Sequence, residues 1–337
     1  MDNYLETNYK EYNRHFSKIG LVLLIGAIAY YFSPYLGLSI IEKFPSVMEN
    51  ISLYFAALML FSYAVTYTII FLLFKLIPKE KKLEKKKMKI SHVFIGFFIC
   101  YAAAFVCNMV TNRFTALLSE LTKKEIDSGI TDLMNNLNPA VTFLIIVVIG
   151  PILEELLFRK CLIDRTIQYG EGISIVFSGV AFGLFHGNIS QVFYTCFMGM
   201  CLAFIYCKTG NIKYSILIHI INNGFSWIST LVFKLSGFFE LADKLDTATT
   251  DSEVMNIFWD NIGGLLIILI YYVVVLAIVA AGVIFFFTRK DKIIVLQGEK
   301  SIPRYHRFTT IIGNVGMILY VSFFLIQIVI NILGIQV

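Results

Sequence analysis

The sequence predicts an all-α fold: a polytopic bundle of about eight to nine transmembrane helices with a cytoplasmic N-terminus. Three observations carry that expectation. Of 337 residues, 58% are hydrophobic and 15% charged, against about half and a quarter in ordinary soluble domains. The apolar residues fall in unbroken blocks of about 20, the length a helix needs to cross about 30 Å of hydrocarbon. The blocks are continuous rather than alternating, which points to helices and not to the strands of a barrel.

The polar, mixed-charge start from Met1 to Lys18 precedes the first block without a small-residue cleavage site. That block is expected to stay as a span and not to leave as a signal peptide. Candidate spans run at roughly 19–41, 51–76, 91–112, 139–162, 172–189, 191–207, 212–233, 261–288 and 309–335. The run Lys79-Glu80-Lys81-Lys82-Leu83-Glu84-Lys85-Lys86-Lys87-Met88-Lys89 lies between the second and third. Lys and Arg accumulate on the inner side of a membrane, which places this run in the cytoplasm.

With nine crossings the N-terminus is then inside and the C-terminus outside. Six of the 28 Lys and Arg residues (Lys43, Arg113, Lys123, Lys124, Lys234 and Lys244) fall outside, and the other 22 inside. The outer loops carry acids instead: Glu120, Glu125, Asp127 and Asp132 in one, and Glu240, Asp243, Asp246, Asp251, Glu253 and Asp260 in another. The outer stretches at about 113–138 and 235–260 are long enough for amphipathic helices lying on the surface, with Phe238, Phe239 and Trp259 as anchors.

The chain reads as one continuous membrane domain in three stretches. Residues 1–90 hold the first spans and the basic loop, 91–235 the core spans, to which the candidate catalytic residues below belong, and 236–337 an outer loop and the last spans. The net charge of +5 comes from basic residues beside spans, so the partner it implies is the lipid bilayer and not nucleic acid. Cys100, Cys107, Cys161, Cys196, Cys201 and Cys207 show no CxxC spacing. They are expected to be buried small hydrophobes rather than disulfide or metal sites.

One stretch stands out: Gly150-Pro151-Ile152-Leu153-Glu154-Glu155-Leu156-Leu157-Phe158-Arg159. Two adjacent glutamates interrupt an apolar run, and an ionisable group inside a bilayer is costly enough to mark a functional site. Arg159 is four residues after Glu155, so the two share a helix face and are expected to pair. Glu154 then points elsewhere and is the freer carboxylate. Pro151 removes a backbone hydrogen bond and is expected to kink the helix just before the glutamates.

His15, His92 and His306 lie in polar flanks, whereas His186 and His219 lie in apolar spans. Phe182 and His186 are four apart on one face, beside a ladder of Gly179, Gly183 and Gly187 that allows another helix to approach closely. His219 and Asn223 repeat that spacing. An unpaired amide in hydrocarbon is costly, so Asn223 should share the polar interior with His219. Asn222, about 100° round the helix, is assigned to packing or to a hydrogen bond with another helix. At 1.5 Å per residue, Glu154, His186 and His219 lie about 15, 21 and 11 Å from the inner edge, depths close enough for the three to meet.

A carboxylate and a histidine sharing a water can take its proton. A second histidine with an asparagine amide supplies donors where charge develops on a carbonyl oxygen. Together they permit peptide hydrolysis by water, without a serine or cysteine nucleophile. Cys161 lies at the inner end with no histidine in an evident pairing position. Two other readings stand beside this one. Glu154, His186 and His219 could bind zinc with a fourth position open to water, although HExxH is absent and Asn223 is a poor ligand. Intramembrane Glu and His also build proton relays, so a proton-coupled transporter is the alternative from another class; no paired repeats with matching broken helices support it.

The ordered motifs Glu154-Glu155-x-x-x-Arg159, Phe182-x-x-x-His186 and His219-x-x-x-Asn223, on separate spans, resemble those of the CAAX-protease and bacteriocin-processing family. Its members are intramembrane endopeptidases related to the type II CAAX prenyl endopeptidase. The resemblance covers about 135–235. It implies Glu154 as base with His186 activating water, His219 and Asn223 as oxyanion donors, and supporting roles for Glu155, Arg159 and Phe182. It implies no cofactor, with zinc as the alternative, in a multi-pass protein of the cell membrane. The implied substrate is a peptide or protein, prenylated or membrane-embedded; no residue here marks prenyl recognition. A catalytically silent immunity or scaffold factor is the remaining reading, against which all the motif residues are present.

Overall fold

A computed structural model describes residues 2–124 and 136–333, with side chains from residue 8. Glu125, Asp127 and Asp132 fall outside the described residues. Eight helices are long and apolar enough to cross a membrane, and no strand occurs among the described residues. They are α1 (Asp2–Ile41), α2 (Ile51–Phe74), α3 (Ile90–Thr122), α4 (the composite Pro139–Tyr169), α6 (Ile189–Thr209), α7 (Ile212–Leu235), α10 (Ile262–Arg289) and α11 (Val315–Leu333). Between α4 and α6 lies the shorter α5 (Glu171–Phe185). Two short helices, α8 (Phe238–Thr247) and α9 (Asp251–Asp260), link α7 to α10.

Four helix starts are set by asparagine. Asn50, Asn138, Asn188 and Asn211 each accept from a backbone N–H in the first turn of the following helix. Each satisfies a donor that the helix itself leaves unpaired. Thr250 and Glu253 form a capping box at the start of α9.

The expected span at 172–189 is corrected. The helix there has 15 residues, about 22 Å by helical rise, short of the hydrocarbon thickness. It ends because Gly187 adopts φ +62° and Asn188 caps α6 at once. Lys208 at the end of α6 pairs with Glu171 at the start of α5. The α5–α6 hairpin therefore enters and leaves on one face, and the sidedness of the remaining spans does not depend on how deep its tip reaches.

The 235–260 stretch contains the two short helices expected, and Trp259 is exposed. Of the stretch at 113–138, residues up to Thr122 belong to α3, and 125–135 lie outside the described residues.

The glycine ladder on α5 is a packing seam. A Cβ on Gly179 or Gly183 would lie 2.8 Å from the carbonyl oxygens of Cys196 or Val192 on α6. Backbones so close leave no room for side chains, which is how small residues draw membrane helices together. Around this hairpin Phe16, Leu23, Phe74, Phe158, Phe182, Tyr320 and Phe324 form the buried core. Cys100 and Cys207 are buried as expected; the other four cysteines are only partly so, and all six are free thiols.

The basic segments meet on one face. His15 bonds the carbonyl oxygen of Arg165 at 2.8 Å, Lys79 pairs with Asp164 at 3.4 Å, and Lys81 with Glu299 at 2.7 Å. The backbone N–H of Lys86 donates to Thr209 O at 2.7 Å. Lys300 reaches both Glu11 and Glu80. Burial opposes the charge on Lys300, but the hydrogen bonds to these two carboxylates outweigh it and raise its pKa.

Candidate active site

Helix α4 is not a regular α-helix. Phe143–Ile149 is wound as a π-helix, Gly150–Glu155 as one and a half α-turns, and Leu156–Ile163 again as a π-helix. Such i→i+5 turns are rare and tend to occur at functional sites. The kink expected at Pro151 is thus a change of winding. The glutamates sit in the α-helical stretch between two widened ones.

Glu155 is fully buried and has two partners. Its Oε2 lies 3.1 Å from Nε of Arg159, and its Oε1 lies 3.0 Å from Nδ1 of His219. The first partner was expected from the i,i+4 spacing. The second was not, since it comes from α7, 64 residues on. The carboxylate accepts, so His219 carries its proton at Nδ1. The opposite nitrogen, Nε2, lies 3.6 Å from Oε2 of Glu154, too long for a hydrogen bond. Glu154 is the more exposed carboxylate, with 22% of its side chain accessible against 0% for Glu155.

His186 caps the end of α5 and is not inside a span as expected. Its Nδ1 lies 2.9 Å from the carbonyl oxygen of Phe182. A carbonyl can only accept, so Nδ1 carries the proton and Nε2 keeps its lone pair. His186 lies within electrostatic range of Glu154 and His219. Phe182 holds this arrangement together. Its ring meets His186 edge-on at 4.9 Å and His219 at 5.7 Å, and the Arg159 guanidinium carbon lies 4.8 Å from its centroid.

Helix α7 runs antiparallel to α4 and contacts it every fourth residue. His219 meets the glutamates, the Asn223 amide donates to Ile146 O at 3.2 Å, and Trp227 donates to Thr142 Oγ1 at 3.0 Å. Residues four apart share a face, so this ladder is visible in the sequence once Trp227 is counted with His219 and Asn223. Asn222 is buried, and its amide donates to Ile218 O in its own helix.

Four residues escaped the sequence reading. Tyr30 on α1, Tyr63 and Tyr67 on α2 and Tyr194 on α6 all lie within electrostatic range of Glu154. With 18 tyrosines in the chain, no spacing separates these from the rest.

Among the described residues, no group of three or more His, Cys, Asp and Glu side chains is placed to hold a metal ion. No step below passes through a metal.

Fold and site together define a multi-pass helical membrane protein with a glutamate–histidine centre inside the bundle. Residues 136–225 match the family described as "Type II CAAX prenyl endopeptidase Rce1-like". Over this stretch the chain is similar to the Rce1-like CAAX-type membrane proteases. It is 28% identical over 180 residues to a "Putative membrane peptidase YdiL" of Bacillus subtilis, covering 50% of this chain and 70% of the relative. It is 27% identical over 229 residues to a "Membrane-embedded CAAX protease MroQ" of Staphylococcus aureus, covering 63% and 88%. No solved structure gives a significant match.

Proposed function

We propose that the protein is an intramembrane endopeptidase in which Glu154 activates a water molecule for attack on a peptide bond. The observation that carries this reading is the unequal treatment of the two glutamates. Glu155 is fully buried between Arg159 and His219, whereas Glu154 is partly accessible and comes no closer to His219 than 3.6 Å. A general base must be free to reach a proton it can take.

In this reading His186 accepts from the same water through Nε2, since Phe182 O holds the proton at Nδ1. The tetrahedral oxyanion is met by His219 Nε2 and the Asn223 amide. Donation from Nε2 requires a His219 ring protonated at both nitrogens. Glu155 and Arg159 orient His219. By the inside bias of Lys and Arg, the lysine-rich face is the cytoplasmic one. The substrate is a peptide or protein segment at the membrane. The named relatives make a prenylated or membrane-embedded segment the first class to test.

The test compares the new protein termini in membranes carrying the wild-type protein or Glu154→Gln. Termini that appear only with the wild type, and vanish with His186→Ala as well, are expected. The same termini in all three, with each protein folded in detergent, would remove Glu154 and His186 from the reaction.

A further inference from the structure

The winding of α4 assigns a task to Pro151 that goes beyond a kink. The N–H of Gly150 reaches back five residues to the carbonyl oxygen of Ile145. The next bond in that register would run from residue 151 to Ile146 O. Residue 151 is proline and has no N–H. A carbonyl left without a donor inside a bilayer must find one elsewhere. The donor found at Ile146 O is Nδ2 of Asn223, at 3.2 Å.

We propose that Pro151 is a positioning residue: its missing N–H reserves the Ile146 carbonyl for Asn223, which orients the Asn223 amide beside Glu154 and His219. This deepens the protease reading, on which the catalytic part of the proposal rests. A carbonyl accepts only from the nitrogen end of an amide, so the contact prevents the Asn223 side chain from flipping. One N–H is used at Ile146, and the other remains for a developing oxyanion. The same bond pins the α4 segment just before the glutamates to the helix that bears His219. The three residues therefore act as one unit: Pro151 removes a donor, Ile146 offers the acceptor, and Asn223 fills it.

The experiment is a double-mutant cycle on the full-length protein in detergent, reading both thermal stability and peptide cleavage for Pro151→Ala, Asn223→Ala and the pair. Asn223→Ala is expected to lower Tm, because it strands a carbonyl, and to lower kcat about a hundredfold, as loss of an oxyanion donor does. Pro151→Ala restores a backbone donor. In the Asn223→Ala background it should recover the lost Tm, while kcat stays at the Asn223→Ala level. Alone, Pro151→Ala should lower kcat about tenfold or more with KM little changed, as small misplacements do. A Pro151→Ala effect on Tm that is equal in both backgrounds overturns the proposal. If Asn223→Ala keeps full activity while the Tm rescue is seen, the reserved carbonyl stands and the oxyanion role of Asn223 falls.

Discussion

Helices α4 and α10 have similar lengths and both read as strong membrane spans, yet they are built for opposite surroundings. The most apolar window of α10 has a mean hydropathy of 3.0 and is 11% buried inside the protein; that of α4 has 2.3 and is 44% buried. α10 is a regular helix whose Leu269, Ile270, Val273 and Leu276 are more than half exposed. α4 is wound in three registers and carries a buried ion pair. The lesson is that hydropathy alone does not lead a span to the centre of a membrane bundle. Lipid is as apolar as leucine, so an apolar helix gains little by leaving it. Polar groups gain much, because only other protein groups can satisfy them.

That contrast can be broken most severely at Arg159. Arg159→Met would leave Glu155 fully buried with its charge partner removed, and breaking such a pair costs about 3–5 kcal/mol. Thermal unfolding in detergent should show a large loss or no folded protein. Replacing Glu155 by Gln in the same chain should recover much of it. If Arg159→Met melts like the wild type, the ion pair does not anchor α4.

A smaller effect is expected where α10 does touch the bundle. A Cβ at Gly282 would lie 2.1 Å from the carbonyl oxygen of Phe98 on α3. Gly282→Leu should therefore push α10 off α3 at a cost of about 1–3 kcal/mol. Cleavage activity should change less than stability, since α10 supplies none of the residues around Glu154. The smallest effect is expected at Leu269, which is 59% exposed. Leu269→Ala should alter stability by less than about 0.5 kcal/mol. A loss as large as that at Gly282 would show that this face is covered by protein and not by lipid.

The spans, the basic loops and the Glu155–Arg159 pair were legible because they depend on composition and on spacing within one helix. The Phe182–His186 and His219–Asn223 faces were legible for the same reason. Three features were not. The truncation of α5 depends on Gly187 taking a left-handed φ, which its residue type permits but does not impose. The tyrosines near Glu154 come from three helices and share no spacing. The contact of His219 with Glu155 joins positions 64 residues apart.

Residue order was enough to say that Glu154, Glu155, His186, His219 and Asn223 must avoid lipid, because the cost of an unpaired polar group in hydrocarbon does not depend on which helix carries its partner. It was also enough to pair groups four apart, because 3.6 residues make a turn. Which helix answers which was decided by tertiary structure: His219 for Glu155, and Asn223 for the carbonyl that Pro151 leaves open. Those choices depend on the depth and rotation of each helix. Rotation in turn depends on where α4 widens to five-residue hydrogen bonds, which shifts every following side chain round the axis.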